Sequence, residues 1–115
     1  MQYGHNTKTL VWNLADLEKP EHVFDYFHST KSIDHNMYVK GHYLYQSNYM
    51  AGLRILDISK VADGTLTEAG CFDTMPNIDK AEFDGAWSIF PFYASGTVVI
   101  SNIDGRLFIV KPNLP

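Results

Sequence analysis

The chain has a single cysteine, Cys71, which excludes an internal disulfide and any thiolate-rich metal site. Its neighbours Ala69, Gly70 and Phe72 predict a small core filler, because a reactive thiol needs a nearby cation and none adjoins it in sequence. No stretch approaches the roughly 20 apolar residues of a membrane-spanning helix. The longest apolar β run, Val98-Val99-Ile100, has the length of part of a strand. Basic excess is also missing: nine Lys and Arg stand against thirteen Asp and Glu, and the basic residues are scattered, so nothing matches the charge of a nucleic-acid backbone. The opening residues, Met1-Gln2-Tyr3-Gly4-His5, do not read as a signal peptide. Nowhere does a 3.6-residue apolar period last beyond about two turns, which leaves no long helix.

What the chain does have is enough apolar material to bury a core, with 45% hydrophobic and 14% aromatic residues, and a repeat. Ser47-Asn48-Tyr49-Met50-Ala51-Gly52-Leu53-Arg54-Ile55-Leu56 recurs 54 residues later as Ser101-Asn102-Ile103-Asp104-Gly105-Arg106-Leu107-Phe108-Ile109-Val110. A partial third copy lies upstream, where Thr9-Leu10-Val11-Trp12 parallels Leu53-Arg54-Ile55-Leu56 at an offset of 44. Periods of about 40 to 50 residues with several short strands per unit are the sequence sign of propeller blades.

Alternation and turn residues predict strands near 8–14, 22–27, 36–40, 43–47, 52–58, 68–73, 87–93, 97–102 and 106–111, with tight turns at Gly41-His42, Ser95-Gly96 and Asp104-Gly105. Ser59-Lys60-Val61-Ala62 reads as one helical turn. The expected fold is all-β, a β-propeller-like array of four-stranded antiparallel blades. Residues 1–28 would end one blade, 29–74 make a complete blade and 75–115 a partial one. Two to three such units are too few to close a ring, since each must bury its faces on neighbours. Homo-oligomerisation through open blade edges is therefore expected to complete it.

The segment Asp34-His35-Asn36-Met37-Tyr38-Val39-Lys40-Gly41-His42-Tyr43-Leu44-Tyr45-Gln46, continued by Asn48 to Ile58, resembles the LVIVD-repeat proteins of the choice-of-anchor B family. Phe83-Asp84-Gly85-Ala86-Trp87-Ser88, Pro91-Phe92 and Ser95-Gly96 fit the same family in the same order. The resemblance covers nearly the whole chain and implies the C-terminal part of a bacterial β-propeller-like protein. It also implies an extracellular, cell-surface or periplasmic setting, and no enzymatic activity.

His35-Asn36 and Trp87-Ser88 fall at equivalent places before the first strands of consecutive units. There an imidazole, an amide and an indole either meet at a channel mouth and hold a protein or small-molecule ligand, or serve structure, the polar groups bonding loop backbone and the indole covering the core. A non-catalytic scaffold or binding module is the leading reading. The alternative is a hydrolase or lyase with His35 as acid/base and Trp87 stacking on a ring. No Gly-x-Ser-x-Gly elbow supports nucleophilic chemistry at Ser88, Ser95 or Ser101. His5, His22, His28, His35 and His42 show no His-x-x-x-His spacing. The acidic loop 73–85 offers Asp73, Asn77, Asp79 and Asp84, with Glu82, as oxygen ligands for calcium; the set does not match EF-hand spacing and Lys80 sits among them, so a solvated loop between units is the favoured reading. Otherwise no cofactor is expected. Tyr38, Tyr43, Tyr45 and Tyr49 follow strand register and either pack against neighbouring units or make a recognition face.

Overall fold

The computed structural model describes residues 6–115 and contains nine strands and one short 3-10 turn. The strands are β1 (Lys8–Asn13), β2 (Glu21–Phe27), β3 (Asn36–Lys40), β4 (Tyr43–Ser47), β5 (Leu53–Asp57), β6 (Thr67–Phe72), β7 (Ala86–Phe90), β8 (Val98–Asn102) and β9 (Leu107–Val110). They pair antiparallel in chain order into three sheets, β1-β2, β3-β4-β5-β6 and β7-β8-β9. The fold is thus all-β, with the three sheets lying inside residues 1–28, 29–74 and 75–115.

Local chemistry sets the boundaries. Gly41, Gly96 and Gly105 turn the hairpins at positive φ, as their dipeptides predict. The helical turn sits at Val61–Asp63 and is closed by Gly64 in the left-handed region. β7 stops at Phe90, earlier than alternation predicts, because Pro91 has no N–H to give to a ladder.

Period-two alternation gives every sheet two faces, and consecutive sheets meet through them. The face of each sheet turned toward the next sheet is called its front. The front of the first sheet (Val11, Phe24, Tyr26) packs on the back of the second (Leu44, Leu56), with Leu66 and Ile58 closing the joint. In turn, the front of the second sheet (Tyr45, Leu53, Ile55) packs on the back of the third (Ala86, Ile89, Val98, Ile100), with Phe108, Val110 and Leu114 at its margin. Leu56 and Ile100 are wholly buried, and each side chain of that size contributes about 1.5–3 kcal/mol by leaving water.

The first joint also holds a buried polar network. Thr9 Oγ1 donates to Asp34 Oδ2 at 2.6 Å and accepts from Gln46 Nε2 at 3.0 Å. His28 Nε2 lies 2.9 Å from the same hydroxyl. Because the threonine's one proton goes to Asp34, Nε2 carries the proton in this contact and Nδ1 of the neutral ring is bare. That Nδ1 is buried with no hydrogen-bond partner.

Cys71 departs from the core-filler reading: it is exposed. β6 is paired on one side only, as the outer strand of its sheet, and Cys71 lines a cleft of about 290 Å³ with Phe72, Val110 and Lys111. The four tyrosines do not form one recognition face. Tyr45 is in the core between the second and third sheets, Tyr38 lies edge-on to Phe92 at 5.7 Å, and Tyr49 is in a turn beyond β4. Burial pushes the phenols of Tyr26, Tyr45 and Tyr49 above their ordinary range, with Glu68 adding to the effect on Tyr26. A raised folded-state pKa gives stability that is complete below the unfolded value, about 10, and is lost as pH rises through the folded values. Urea midpoints are accordingly expected to hold up to about pH 10 and to fall over the interval above it as these phenols are forced to ionise. A flat midpoint over that interval would contradict the burial of these hydroxyls.

Candidate functional site

The pairing of the second and third sheets brings His35, Asn36 and Trp87 together at one end of the array. Their meeting depends on a bulge. In the ladder Ala86 pairs with Asn102 and Ser88 with Ser101, so Trp87 is the extra residue between them. Its carbonyl, released from the ladder, accepts from His35 Nδ1 at 2.7 Å, from Asn36 Nδ2 at 3.1 Å and from Ser47 Oγ at 3.1 Å. Two side chains of the second sheet, with His35 just before β3, thus converge on one backbone oxygen of the third sheet. A carbonyl can only accept, so Nδ1 of His35 carries a proton and Nε2 of the neutral ring is an acceptor.

Above this carbonyl the rings form a cluster. His35 lies 4.4 Å from Trp87 and 4.8 Å from Tyr49, centroid to centroid, and Tyr49 lies 5.5 Å from Phe83. Tyr49 is almost fully buried, whereas Trp87 is 48% and Phe83 64% exposed. The cluster therefore has a buried base and an open aromatic surface. These tilted and edge-on arrangements are the ones aromatic quadrupoles favour.

Tyr49 holds its place at a backbone cost. With φ of 42° it is, among the described residues, the non-glycine residue in the left-handed region, a conformation worth about 1–2 kcal/mol of strain. Its carbonyl accepts from Gly52 N at 3.0 Å and from Ala86 N at 2.8 Å, which ties the turn after β4 to the start of β7. Ser88 is not part of the ring cluster. It pairs with Ser101 in the ladder and shares a face with Phe90. Sequence reasoning did not place Phe83 or Ser47 at the site, and it read Tyr49 only as following strand register with Tyr43 and Tyr45, between the strands near 43–47 and 52–58. The neighbouring Met50-Ala51-Gly52 turn was the available signal for Tyr49.

The acidic loop does not gather its oxygens. Asp79 takes the backbone N–H groups of Lys31 and Ser32 at 2.9 and 3.0 Å and the Ser32 hydroxyl at 2.8 Å, clamping a distant loop. Asp73 accepts from Met75 N and Asp84 from Gly85 N, both at 2.8 Å. Among the described residues no three His, Cys, Asp or Glu side chains are grouped to hold a metal ion. Of the other histidines, His22 bonds Asp25 at 2.7 Å, His28 belongs to the buried network, and His5 lies outside the described residues. No helix among the described residues is long and apolar enough to cross a membrane. Compared with models of protein families, with curated proteins and with solved structures, the chain matches none.

Proposed function

We propose that this chain is a non-catalytic repeat module of the β-propeller type, which binds a protein segment or small molecule at the end of the array where His35, Asn36 and Trp87 meet. One observation carries the reading: donors from one unit converge on a carbonyl of the next beneath a half-exposed indole. The joint between two sheets is thereby made into a rigid seat, with Trp87 and Phe83 offering apolar ring surface and His35 Nε2 an acceptor. This chemistry suits a ligand with a flat or ring-shaped apolar face edged by hydroxyl or amide groups. Catalysis has less support. Among the described residues no carboxylate is hydrogen-bonded to His35, whose partner is a backbone carbonyl, so a hydrolase or lyase would lack a second acid or base there.

The proposal includes the likeness to LVIVD-repeat proteins and the exported setting that it implies. It needs no metal.

The test uses Trp87 as its own reporter. In a Trp12→Phe background, titration with saccharides, nucleosides and short peptides is expected to give a saturable change in indole fluorescence for at least one class. His35→Ala should weaken that response about tenfold or more, the loss of one well-placed hydrogen bond in a desolvated seat. A panel without any saturable response would overturn the binding reading.

A further inference from the structure

The repeat offset of 54 is structural as well as sequential. Asn48 N donates to Gly52 O at 2.9 Å, and Asn102 N donates to Arg106 O at 2.9 Å in the same way. Tyr45, Leu53 and Ile55 therefore correspond to Val99, Leu107 and Ile109. In the second sheet those three positions are the front, exposed by only 6%, 1% and 1% under the third sheet. In the third sheet the equivalent face is open: Leu107 is 61% and Ile109 69% exposed, with Phe90 at 47% on the same side. The register makes this one surface, since Phe90 pairs with Val99 and Val99 with Ile109, while Ser88 pairs with Ser101 and Ser101 with Leu107.

The other end of the array mirrors this. At the offset of 44, Trp12 corresponds to Leu56, which is wholly buried on the back of the second sheet under the first. On the back of the first sheet, opposite Thr9 and Val11, Leu10 is 49%, Trp12 48% and Phe27 63% exposed. The chain thus has one unused front and one unused back, each equivalent to a face that is covered elsewhere in the same molecule. The front is apolar, whereas the back sets Leu10, Trp12 and Phe27 beside the charged cluster of Lys8, Asp25 and His22; exposed apolar surface of this kind marks interaction sites.

We propose that a second copy of this chain docks head to tail, with the back of its first sheet on the front of the third sheet. The inference rests on the repeat-module reading above. It names a different surface from the ring cluster and a different contact from edge pairing of strands. Both internal joints are front on back, so a second copy continues an interface that the molecule already makes twice. Such a contact is heterologous: it leaves a front and a back free at the ends, and it adds copies until a ring closes.

Light scattering after size exclusion tests this. The wild-type chain of 13.1 kDa is expected to exceed the monomer mass increasingly over about a hundredfold range of concentration. Ile109→Lys and Leu10→Lys should each be monomeric alone. Their equimolar mixture should form a two-chain species, because one keeps its back and the other its front. The like charges prevent the two altered faces from pairing with each other. Near-ultraviolet circular dichroism verifies folding, and Leu107→Lys with Phe27→Lys replaces the pair if either variant unfolds. A wild type that stays monomeric would overturn the proposal and leave the Trp87 titration untouched. A Leu10→Lys variant that still dimerises would overturn it as well, in favour of a front-to-front contact.

Discussion

Gly85→Ala is expected to cost about 3–5 kcal/mol, among the largest losses available from one added methyl group. Gly85 has φ of 90°, which alone penalises an L side chain by about 1–2 kcal/mol. Its Cβ would also be driven into the Tyr49 carbonyl and come within 2.9 Å of Met50 N. These are backbone atoms with no rotamer to give way, so the strand itself must shift, at about 1–3 kcal/mol. That shift would stretch two bonds anchoring the turn, Ala86 N to Tyr49 O at 2.8 Å and Ile103 N to Gly85 O at 2.9 Å, each worth about 1 kcal/mol. Gly105→Ala is the control: φ is 86° and no atom lies within 4 Å of the added carbon, so only the conformational cost of about 1–2 kcal/mol applies. Urea unfolding separates the two. Equal midpoints would mean that the turn at Tyr49 yields, and that the seat under Trp87 is not rigid.

That contact was only half legible in the sequence. The repeat places His35 and Trp87 at equivalent positions, and hairpin glycines with alternating residues mark all nine strands. Equivalence alone, however, sets two residues one unit apart. What makes them touch is the bulge at Trp87, where the register slips by one residue, and no propensity marks it. Cys71 was misread for a related reason: its small apolar neighbours suit a core, but β6 is an outer strand, and local composition does not encode a strand's place in its sheet. In the acidic loop, residue types counted as ligands are occupied with nearby or distant backbone N–H groups. Least legible was the network of Thr9, His28, Asp34 and Gln46, whose members come from four segments and share no period.

Gln46→Ala tests how much that network matters, with an expected loss of about 3–5 kcal/mol. The side chain is wholly buried on the back of the second sheet; it donates to Thr9 Oγ1 at 3.0 Å and accepts from Asn48 Nδ2 at 3.3 Å. Truncation opens a cavity, at about 2–3 kcal/mol for this volume, and strands the buried Asn48 amide, at about 1–3 kcal/mol. Thr9 suffers less, because Asp34 and His28 still satisfy its hydroxyl. Gln46→Leu refills the volume and removes the polar bonds, so it isolates the second contribution, about 1–3 kcal/mol. If Gln46→Leu proved as stable as the wild type, the network would set which faces meet and add nothing to how firmly they hold. The location of the damage is a further check. The first sheet has two strands and meets the second through this joint and its apolar neighbours, so a weakened joint should let β1 and β2 open before the rest. Amide exchange in Gln46→Ala is expected to accelerate most in Thr9, Val11, Phe24 and Tyr26, while Val98 and Ile100 at the second joint stay protected. Uniform acceleration would instead mean that the three sheets unfold as one cooperative unit, with the two joints coupled through the second sheet.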